Sequence, residues 1–111
     1  MSSERVIAID DDKQFEEKFA ELKGGKVLLV FSASWCGPCR RIKPVWHKLA
    51  DEHTDIEFLY IDLDGCPDTA EAYDVQAVPT FIAFNKGEKT EVVKGARAES
   101  VTGIIKKLAE A

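Results

Sequence analysis

The chain contains little cysteine and lacks the long apolar runs that membrane proteins require. Three cysteines among 111 residues are too few, and odd in number, for a scaffold held together by several disulfides. The longest apolar run is far shorter than the roughly 18–20 residues of a transmembrane helix. The segment from Met1 to Arg5 lacks the basic and then apolar pattern of a signal peptide. We therefore expect a protein of the reducing cytosol that has no membrane partner.

Basic side chains are outnumbered by acidic ones. Fifteen Lys and Arg against twenty Asp and Glu give a formal charge of −5, which disfavours nucleic acids and anionic membranes as main partners. With 45% hydrophobic and 32% charged residues, the composition is typical of a folded domain rather than a disordered chain. The length suffices for one hydrophobic core but not for two. Because no linker or repeat divides the sequence, we expect one domain over residues 1–111.

What the sequence does contain is a pair of cysteines where an apolar run gives way to a helix-like segment. Cys36 and Cys39 follow the apolar segment 27–31 and precede the segment 40–43. Between a strand and a helix, Cys-x-x-Cys is typical of a redox-active dithiol. The unpaired N–H groups and the dipole of a helix N-terminus lower the pKa of a thiol there. One thiolate can then attack a disulfide, and the second cysteine can close a small ring and release the product.

The other cysteine and the histidines suggest no metal site. Zinc binding by the dithiol would need further ligands, which only Cys66, His47 and His53 could supply. Both histidines are expected on the surface of the second helix. Cys66 precedes Pro67 in an acidic turn, where we expect a spare turn thiol. Regulatory oxidation and disulfide-linked dimerisation remain open as alternative roles of Cys66.

The hydrophobic pattern predicts nine elements in the order β-α-β-α-β-α-β-β-α. The expected strands span residues 6–9, 26–31, 56–63, 80–84 and 90–94. The expected helices run from the acidic triplet 10–12 to the glycines 24–25, from about 36 to 53, from 69 to 73, and from beyond Gly95. The first, second and fourth of these helices each have an apolar stripe. These stripes are, in order, Phe15, Phe19 and Leu22; Ile42, Val45, Trp46 and Leu49; and Val101, Ile104, Ile105 and Leu108. Strands joined by helices favour parallel pairing, whereas a hairpin turn of three to four residues at 85–88 favours antiparallel pairing. The sequence thus predicts an α/β fold with a mixed sheet sandwiched by helices.

These residues together resemble the thioredoxin family, and the resemblance covers nearly the whole chain. Residues 35–39, Trp-Cys-Gly-Pro-Cys, match the family's active-site motif residue for residue, and Val-Pro-Thr at 78–80 matches the segment that carries its cis-proline. Residues 84–87 resemble its strand-turn signature, and Gly95 resembles the glycine after its last strand. The resemblance implies the thioredoxin fold, a central mixed five-stranded sheet flanked by four helices. It also implies a cytoplasmic protein-disulfide reductase that acts in electron transport and cell redox homeostasis.

The resemblance also implies roles for individual residues. Cys36 would be the exposed attacking thiolate and Cys39 the buried resolving thiol, and the two would form the disulfide of the oxidised state. Gly37 allows a tight turn, and Pro38 suits the first turn of a helix. Pro79 is expected to be cis, which would place the backbone of its neighbour beside the dithiol to pair with an extended substrate. One apolar recognition patch is expected from Trp35, Pro38, Val78, Pro79, Gly95 and Ala96.

The same resemblance implies partners but no bound cofactor and no metal. Electrons would come from NADPH through thioredoxin reductase, and the disulfide-containing substrates would include peroxiredoxins, ribonucleotide reductase and methionine sulfoxide reductases. The chain is expected to be a monomer.

The sequence departs from the family pattern at one buried pair. Most thioredoxins carry a buried Asp six residues ahead of the first cysteine, where this chain has Val30. The partner position on the next strand, often Lys in the family, is Tyr60. The family's Asp is thought to help remove the proton of the resolving cysteine. We therefore expect the fold to be more stable with Val than with Asp at this position. We also expect that the proton of Cys39 is removed by water or by Cys36 itself, so that turnover is slower.

Two other functions compete with the reductase. An oxidase or isomerase is disfavoured, because such relatives usually carry His at the position of Pro38 and enter a secretory compartment. A non-enzymatic module could instead use the patch around Trp35 to hold a partner in a redox-dependent way.

Overall fold

A five-stranded mixed sheet lies between two pairs of helices. The computed structural model of the chain describes residues 3–111, so Met1 and Ser2 of the segment considered as a signal peptide lie outside the described part. The elements are β1 (Val6–Ile9), α1 (Asp12–Leu22), β2 (Lys26–Ser32), α2 (Gly37–Glu52), β3 (Ile56–Asp62), α3 (Pro67–Ala72), β4 (Thr80–Asn85), β5 (Glu88–Lys94) and α4 (Ala98–Glu110). The predicted order of nine elements is confirmed.

The central position of β2 is what places the dithiol. The strand order is β1-β3-β2-β4-β5, with β2 parallel to β3 and antiparallel to β4. Successive side chains of a strand point to opposite faces. Leu28 and Val30 accordingly pack beneath α2 and α4, whereas Val27, Leu29 and Phe31 pack beneath α1 and α3. Because β2 is buried on both faces, its carboxyl end presents residues 33–36 at one rim of a rigid core.

The predicted apolar stripes form the helix-to-sheet contacts. Those of α2 and α4 are buried except at Val45, which is half-buried, and in α1 only Phe15 is fully buried. Trp46 is 1% exposed and stacks on Phe58 and Tyr60 of β3. The expectation that Trp46 serves helix packing is confirmed.

Two local boundaries differ from the prediction. Helix α3 begins at Pro67 rather than at residue 69, because the carboxylate of Asp12 accepts hydrogen bonds from the backbone N–H groups of Asp68 and Thr69. Asp12 therefore caps α3 from the first turn of α1. The β4–β5 turn has two residues instead of three to four, since residues 85 and 88 are paired. Both turn residues, 86 and 87, have positive φ, as tight hairpin turns require.

The N-terminal segment binds the end of α2 and buries a histidine. The backbone N–H of Ser3 donates to Nδ1 of His47 at 2.9 Å, and the Ser3 hydroxyl donates to Asp51 at 2.6 Å. The guanidinium of Arg5 donates to the carbonyls of Ala50 and of residues 53, 54 and 56, which satisfies groups left open where the helix ends. His47 is 4% exposed, so the expectation that it lies on the surface is wrong; His53 is half-buried.

Burial makes His47 a source of pH-dependent stability. Burial, followed by the positive charge of Lys43, lowers its pKa from 6.5 to about 4, against the opposing effect of Asp51. The unfolded chain therefore binds a proton on this group at a higher pH than the folded chain does. We predict that the stabilisation from neutral His47 is complete above pH 6.5 and is lost progressively as the pH falls toward 4, by up to about 3 kcal/mol. Urea unfolding across this range measures it.

Replacement of each histidine separates this effect from general acid sensitivity. In His47→Gln the extra loss of stability between pH 6.5 and 4 should disappear, whereas His53→Gln should keep the wild-type pH dependence. Equal pH profiles for wild type and His47→Gln would contradict a neutral, buried imidazole.

Candidate active site

The two cysteines of the motif form a disulfide at the start of α2. Cys36 is the N-cap residue of this helix and Cys39 lies in its first turn, and their Cα atoms are 5.3 Å apart. Pro38 lies at one of the first two helical positions, where the missing N–H of proline leaves no intrahelical bond unmade. The transition from the buried β2 to α2 therefore holds both sulfurs at the rim of the sheet, as the sequence predicted.

The surroundings of the Cys36 sulfur favour negative charge. Its Sγ accepts a hydrogen bond from the backbone N–H of Cys39 at 3.2 Å, and it lies at the positive end of the α2 dipole. Both interactions stabilise a thiolate more than a thiol. The carbonyl oxygen of Val78 lies 3.7 Å from the same Sγ; as a hydrogen-bond acceptor it favours the thiol and so opposes these two interactions. When the disulfide is reduced, Cys36 is thus the sulfur with direct backbone support for a negative charge.

The exposure of Cys36 differs from the expectation. In the disulfide form it is 4% exposed and Cys39 is 5% exposed, so the expected contrast between an exposed and a buried sulfur is wrong for this state. The reason is packing, because both cysteines lie in one small cluster with Ala33, against Leu63 and Val78.

The expected recognition patch is brought together in part. Trp35 is 63% exposed and Pro38 is exposed, while Val78, Gly95 and Ala96 are half-buried. The Val78–Pro79 peptide bond is cis, as predicted.

Pro79 itself is buried because it immediately precedes β4, so it cannot offer apolar surface to a substrate. Its carbonyl accepts the N–H of Gly95 at 2.9 Å, which ties the loop before α4 to the cis bond. The patch is hereafter the exposed and half-buried residues Trp35, Pro38, Val78, Gly95 and Ala96.

One residue near the dithiol was not predicted from the sequence. The indole N–H of Trp35 donates to the carboxylate of Asp64 at 2.9 Å, which orients an otherwise exposed ring. Asp64 follows β3, and β3 lies beside β2 in the sheet. The signal that could have found it is its position, since carboxyl ends of parallel neighbouring strands meet at the same edge of a sheet.

Val30 and Tyr60 lie side by side and form no charged pair. Val30 is 1% exposed and lies directly beside Tyr60 in the β2–β3 register. The hydroxyl of Tyr60 lies 3.2 Å from that of Ser32 and donates to it, and the ammonium of Lys43 lies 5.4 Å from the centre of the Tyr60 ring. Apolar and hydroxyl groups therefore occupy both of these positions, where the resemblance led us to expect a departure from a buried charged pair.

Cys66 is enclosed by the protein. Its side chain is fully buried at the N-cap position of α3, and its Sγ lies 3.9 Å from the carbonyl oxygen of Ile9. Burial, followed by the negative charges of nearby carboxylates, raises the pKa of this thiol to about 11. Oxidation and disulfide-linked dimerisation both need an accessible thiolate, so the folded chain works against both alternative roles.

We predict that Cys66 resists alkylation in the native protein. At pH 8 about one such thiol in a thousand is ionised, and burial blocks the reagent as well. Iodoacetamide added to the oxidised protein should modify residue 66 slowly in buffer and rapidly in denaturant, as followed by mass spectrometry. Cys66→Ala, which lacks this thiol, is the negative control. Native alkylation as fast as that of the unfolded chain would restore the regulatory role.

Nothing in the described residues provides a metal centre. Between residues 3 and 111, His, Cys, Asp and Glu side chains form no group of three or more that could hold an ion. In the same part of the chain, no helix combines the length and the apolar character needed to cross a bilayer.

Fold and site together define a dithiol–disulfide oxidoreductase, and comparison with known proteins agrees. The Thioredoxin family model matches residues 6–109. Thioredoxin H2 of Arabidopsis thaliana is 39% identical, over 94% of this chain and 80% of that protein. The crystal structure of thioredoxin NaTrxh from Nicotiana alata superposes with a TM-score of 0.89 at 34% identity, covering 96% of this chain and 94% of that one. A structure describing the thiol-resolving mechanism of a yeast mitochondrial 1-Cys peroxiredoxin via the glutathione/thioredoxin systems gives 0.83 at 27% identity, with coverages of 96% and 99%.

The chain therefore belongs to the thioredoxin family. It is a protein-disulfide oxidoreductase that carries the family's Cys-x-x-Cys pair as Cys36 and Cys39.

Proposed function

We propose that Cys36 is the nucleophile and Cys39 the resolving thiol of a general protein-disulfide reductase. The observation that carries this assignment is the N–H of Cys39 donating to the Cys36 Sγ at the helix N-terminus. The Cys36 thiolate attacks one sulfur of a substrate disulfide, and the departing sulfur takes a proton. Cys39 then loses its proton and attacks the Cys36 sulfur of the mixed disulfide. The substrate leaves with two electrons and two protons, and the enzyme retains the Cys36–Cys39 disulfide.

Substrate binding is assigned to the patch beside this sulfur. An extended segment that lies along Val78 can pair with its backbone, whose carbonyl is 3.7 Å from the Cys36 Sγ. The exposed face of Trp35, oriented by Asp64, supplies a flat apolar surface, and Pro38 flanks it. Gly95, whose N–H donates to the Pro79 carbonyl, and its neighbour Ala96 complete the patch. Pro79 acts here by holding the neighbouring carbonyl, not by touching the substrate.

The partners, the compartment and the domain organisation complete the proposal. Electrons come from NADPH through thioredoxin reductase, and the substrates include peroxiredoxins, ribonucleotide reductase and methionine sulfoxide reductases, with no nucleic acid or membrane partner. The structural relative that concerns a yeast 1-Cys peroxiredoxin is consistent with this class of substrate. Residues 1–111 form a single domain that acts in the cytoplasm as a monomeric electron carrier. A reductant of this kind suits a compartment in which thiols are kept reduced.

Insulin reduction tests the proposal in two stages. With dithiothreitol as the electron source, the wild type should accelerate precipitation of the reduced chains. With NADPH and a thioredoxin reductase instead, it should oxidise NADPH in step with insulin reduction. Activity with dithiothreitol alone would show that the dithiol reduces disulfides but that thioredoxin reductase is not its electron donor. No activity in either stage would overturn the general-reductase function.

A redox-dependent binding module is the second candidate. It is favoured by the 63% exposure of Trp35, since a large exposed ring suits partner binding whether or not the dithiol reacts. The double variant Cys36→Ser, Cys39→Ser separates the two functions. A module would keep the biological role in this variant, whereas a reductase would lose it.

A further inference from the structure

A groove with an apolar floor lies between α2 and α4. It has a volume of about 310 Å³ and is lined by Val45, Lys48, Leu49, Glu52, Thr102 and Lys106. Leu49 is buried and Val45 half-buried at its base, while the charged side chains stand at its rim. The groove can therefore accommodate a segment that has apolar side chains on one face and charges on the other.

The two helices that line the groove begin beside the dithiol and the patch, since the N-cap residue of α2 is Cys36 and that of α4 is Arg97. Arg41 lies on α2 one turn after Pro38 and one turn before Val45, and residues three and four apart share a helix face. On the other side, Arg97 is the N-cap residue of α4 and directly follows Ala96 of the patch. The path from the patch to the groove, along the first turns of α2 and α4, therefore has one arginine on α2 and one at the start of α4.

The charge of this path is opposite to that of the whole chain. Four exposed cations border it: Arg41, Lys48, Arg97 and Lys106. None of the four forms an ion pair with another residue between 3 and 111. One carboxylate, Glu52, lines the groove, and Glu99 lies three residues before Thr102 on α4. The path therefore has an excess of positive charge on a chain whose formal charge is −5.

We propose that this groove binds an acidic segment of the substrate protein, close in sequence to the cysteine that is attacked. The inference rests on the proposed function, because it assumes a disulfide-bearing protein at Cys36. Lys48 lies twelve residues after Cys36, which is about 18 Å along a helix that rises 1.5 Å per residue. An extended peptide covers that distance in about five or six residues, and it reaches Arg41 in about two. Carboxylates two to six residues from the substrate cysteine therefore match the cations of the path.

The test compares two substrates with two charge-reversed variants. Each substrate is a synthetic peptide whose single cysteine is joined by a disulfide to a chromogenic nitrobenzoate thiol. One peptide carries glutamates at the second and fifth positions on both sides of the cysteine, and the other carries glutamines there. The variant Arg41→Glu, Lys48→Glu changes the groove. The matched control Lys13→Glu, Lys23→Glu makes the same change of net charge at exposed positions of α1 and its C-cap.

The measured quantity is the ratio of kcat/KM for the acidic peptide to kcat/KM for the neutral one. We expect the groove variant to lower this ratio about tenfold at low salt, less at high salt, and the control to leave it near the wild-type value. An unchanged ratio in the groove variant, or an equally large fall of the ratio in the control variant, would overturn the inference. The proposed function would still stand in that case if the wild type reduces both peptides. A wild type that reduces neither peptide would overturn both.

Discussion

Replacing Cys36 by serine is expected to lower the rate of insulin disulfide reduction by at least about a thousandfold. A serine hydroxyl stays protonated at neutral pH, and the N–H of Cys39 and the α2 dipole cannot ionise it. With no thiolate at this position, the mixed disulfide does not form. The rate is followed with dithiothreitol as the reductant, so that loss of a reductase contact cannot imitate the effect.

Cys66→Ser is the matched control for this loss. It removes a sulfur of the same type that is buried in a different hydrophobic cluster from the dithiol, so the rate should stay close to that of the wild type. A Cys36→Ser protein that retained more than about a tenth of the wild-type rate would show that another group starts the reaction.

Replacing Val30 by aspartate is expected to destabilise the fold by about 3 kcal/mol or more at pH 7. Val30 is 1% exposed, and its neighbour in the register, Tyr60, donates its hydroxyl to Ser32. Val30 packs in the apolar cluster beneath α2 and α4, and the Lys43 ammonium lies over the Tyr60 ring. Urea unfolding of wild type and variant measures the difference.

The pH dependence identifies the cause of this destabilisation. Burial raises the pKa of a carboxyl group, so the variant should recover stability relative to the wild type as the pH falls and the side chain becomes neutral. Val30→Asn, which has a similar shape and no charge, should show no such recovery. Because the family resemblance implies that an Asp at this position helps to remove the proton of Cys39, turnover should become faster in the Asp variant. An Asp variant with unchanged melting temperature and unchanged turnover would contradict this interpretation of Val30.

The order of elements and the dithiol could be predicted because their signals are local. The apolar run of β2, the stripe of α4 and the Cys-x-x-Cys spacing each occupy a short window of sequence. The position of Val30 beside Tyr60 was also predictable, since the family resemblance supplies the pairing and the register confirms it.

The remaining features depend on contacts between distant parts of the chain. His47 has no signal of burial in its own helix, because it is covered by Ser3, 44 residues away. The start of α3 is set by Asp12, and the orientation of Trp35 by Asp64. In each case a polar side chain satisfies a group on another element, and no periodic pattern records such a pair. The low exposure of Cys36 likewise follows from packing against Val78 in the loop before β4.

Mapping a trapped mixed disulfide identifies the sulfur that attacks the substrate. In Cys39→Ser the resolving thiol is absent, so a substrate that has been attacked remains attached to the protein. After incubation with insulin and alkylation of free thiols, peptide mass spectrometry locates the attached chain. We expect the insulin chain on Cys36, with Cys66 unmodified until the protein is unfolded. An insulin chain on Cys66, or no adduct at all while the wild type reduces insulin, would contradict this expectation.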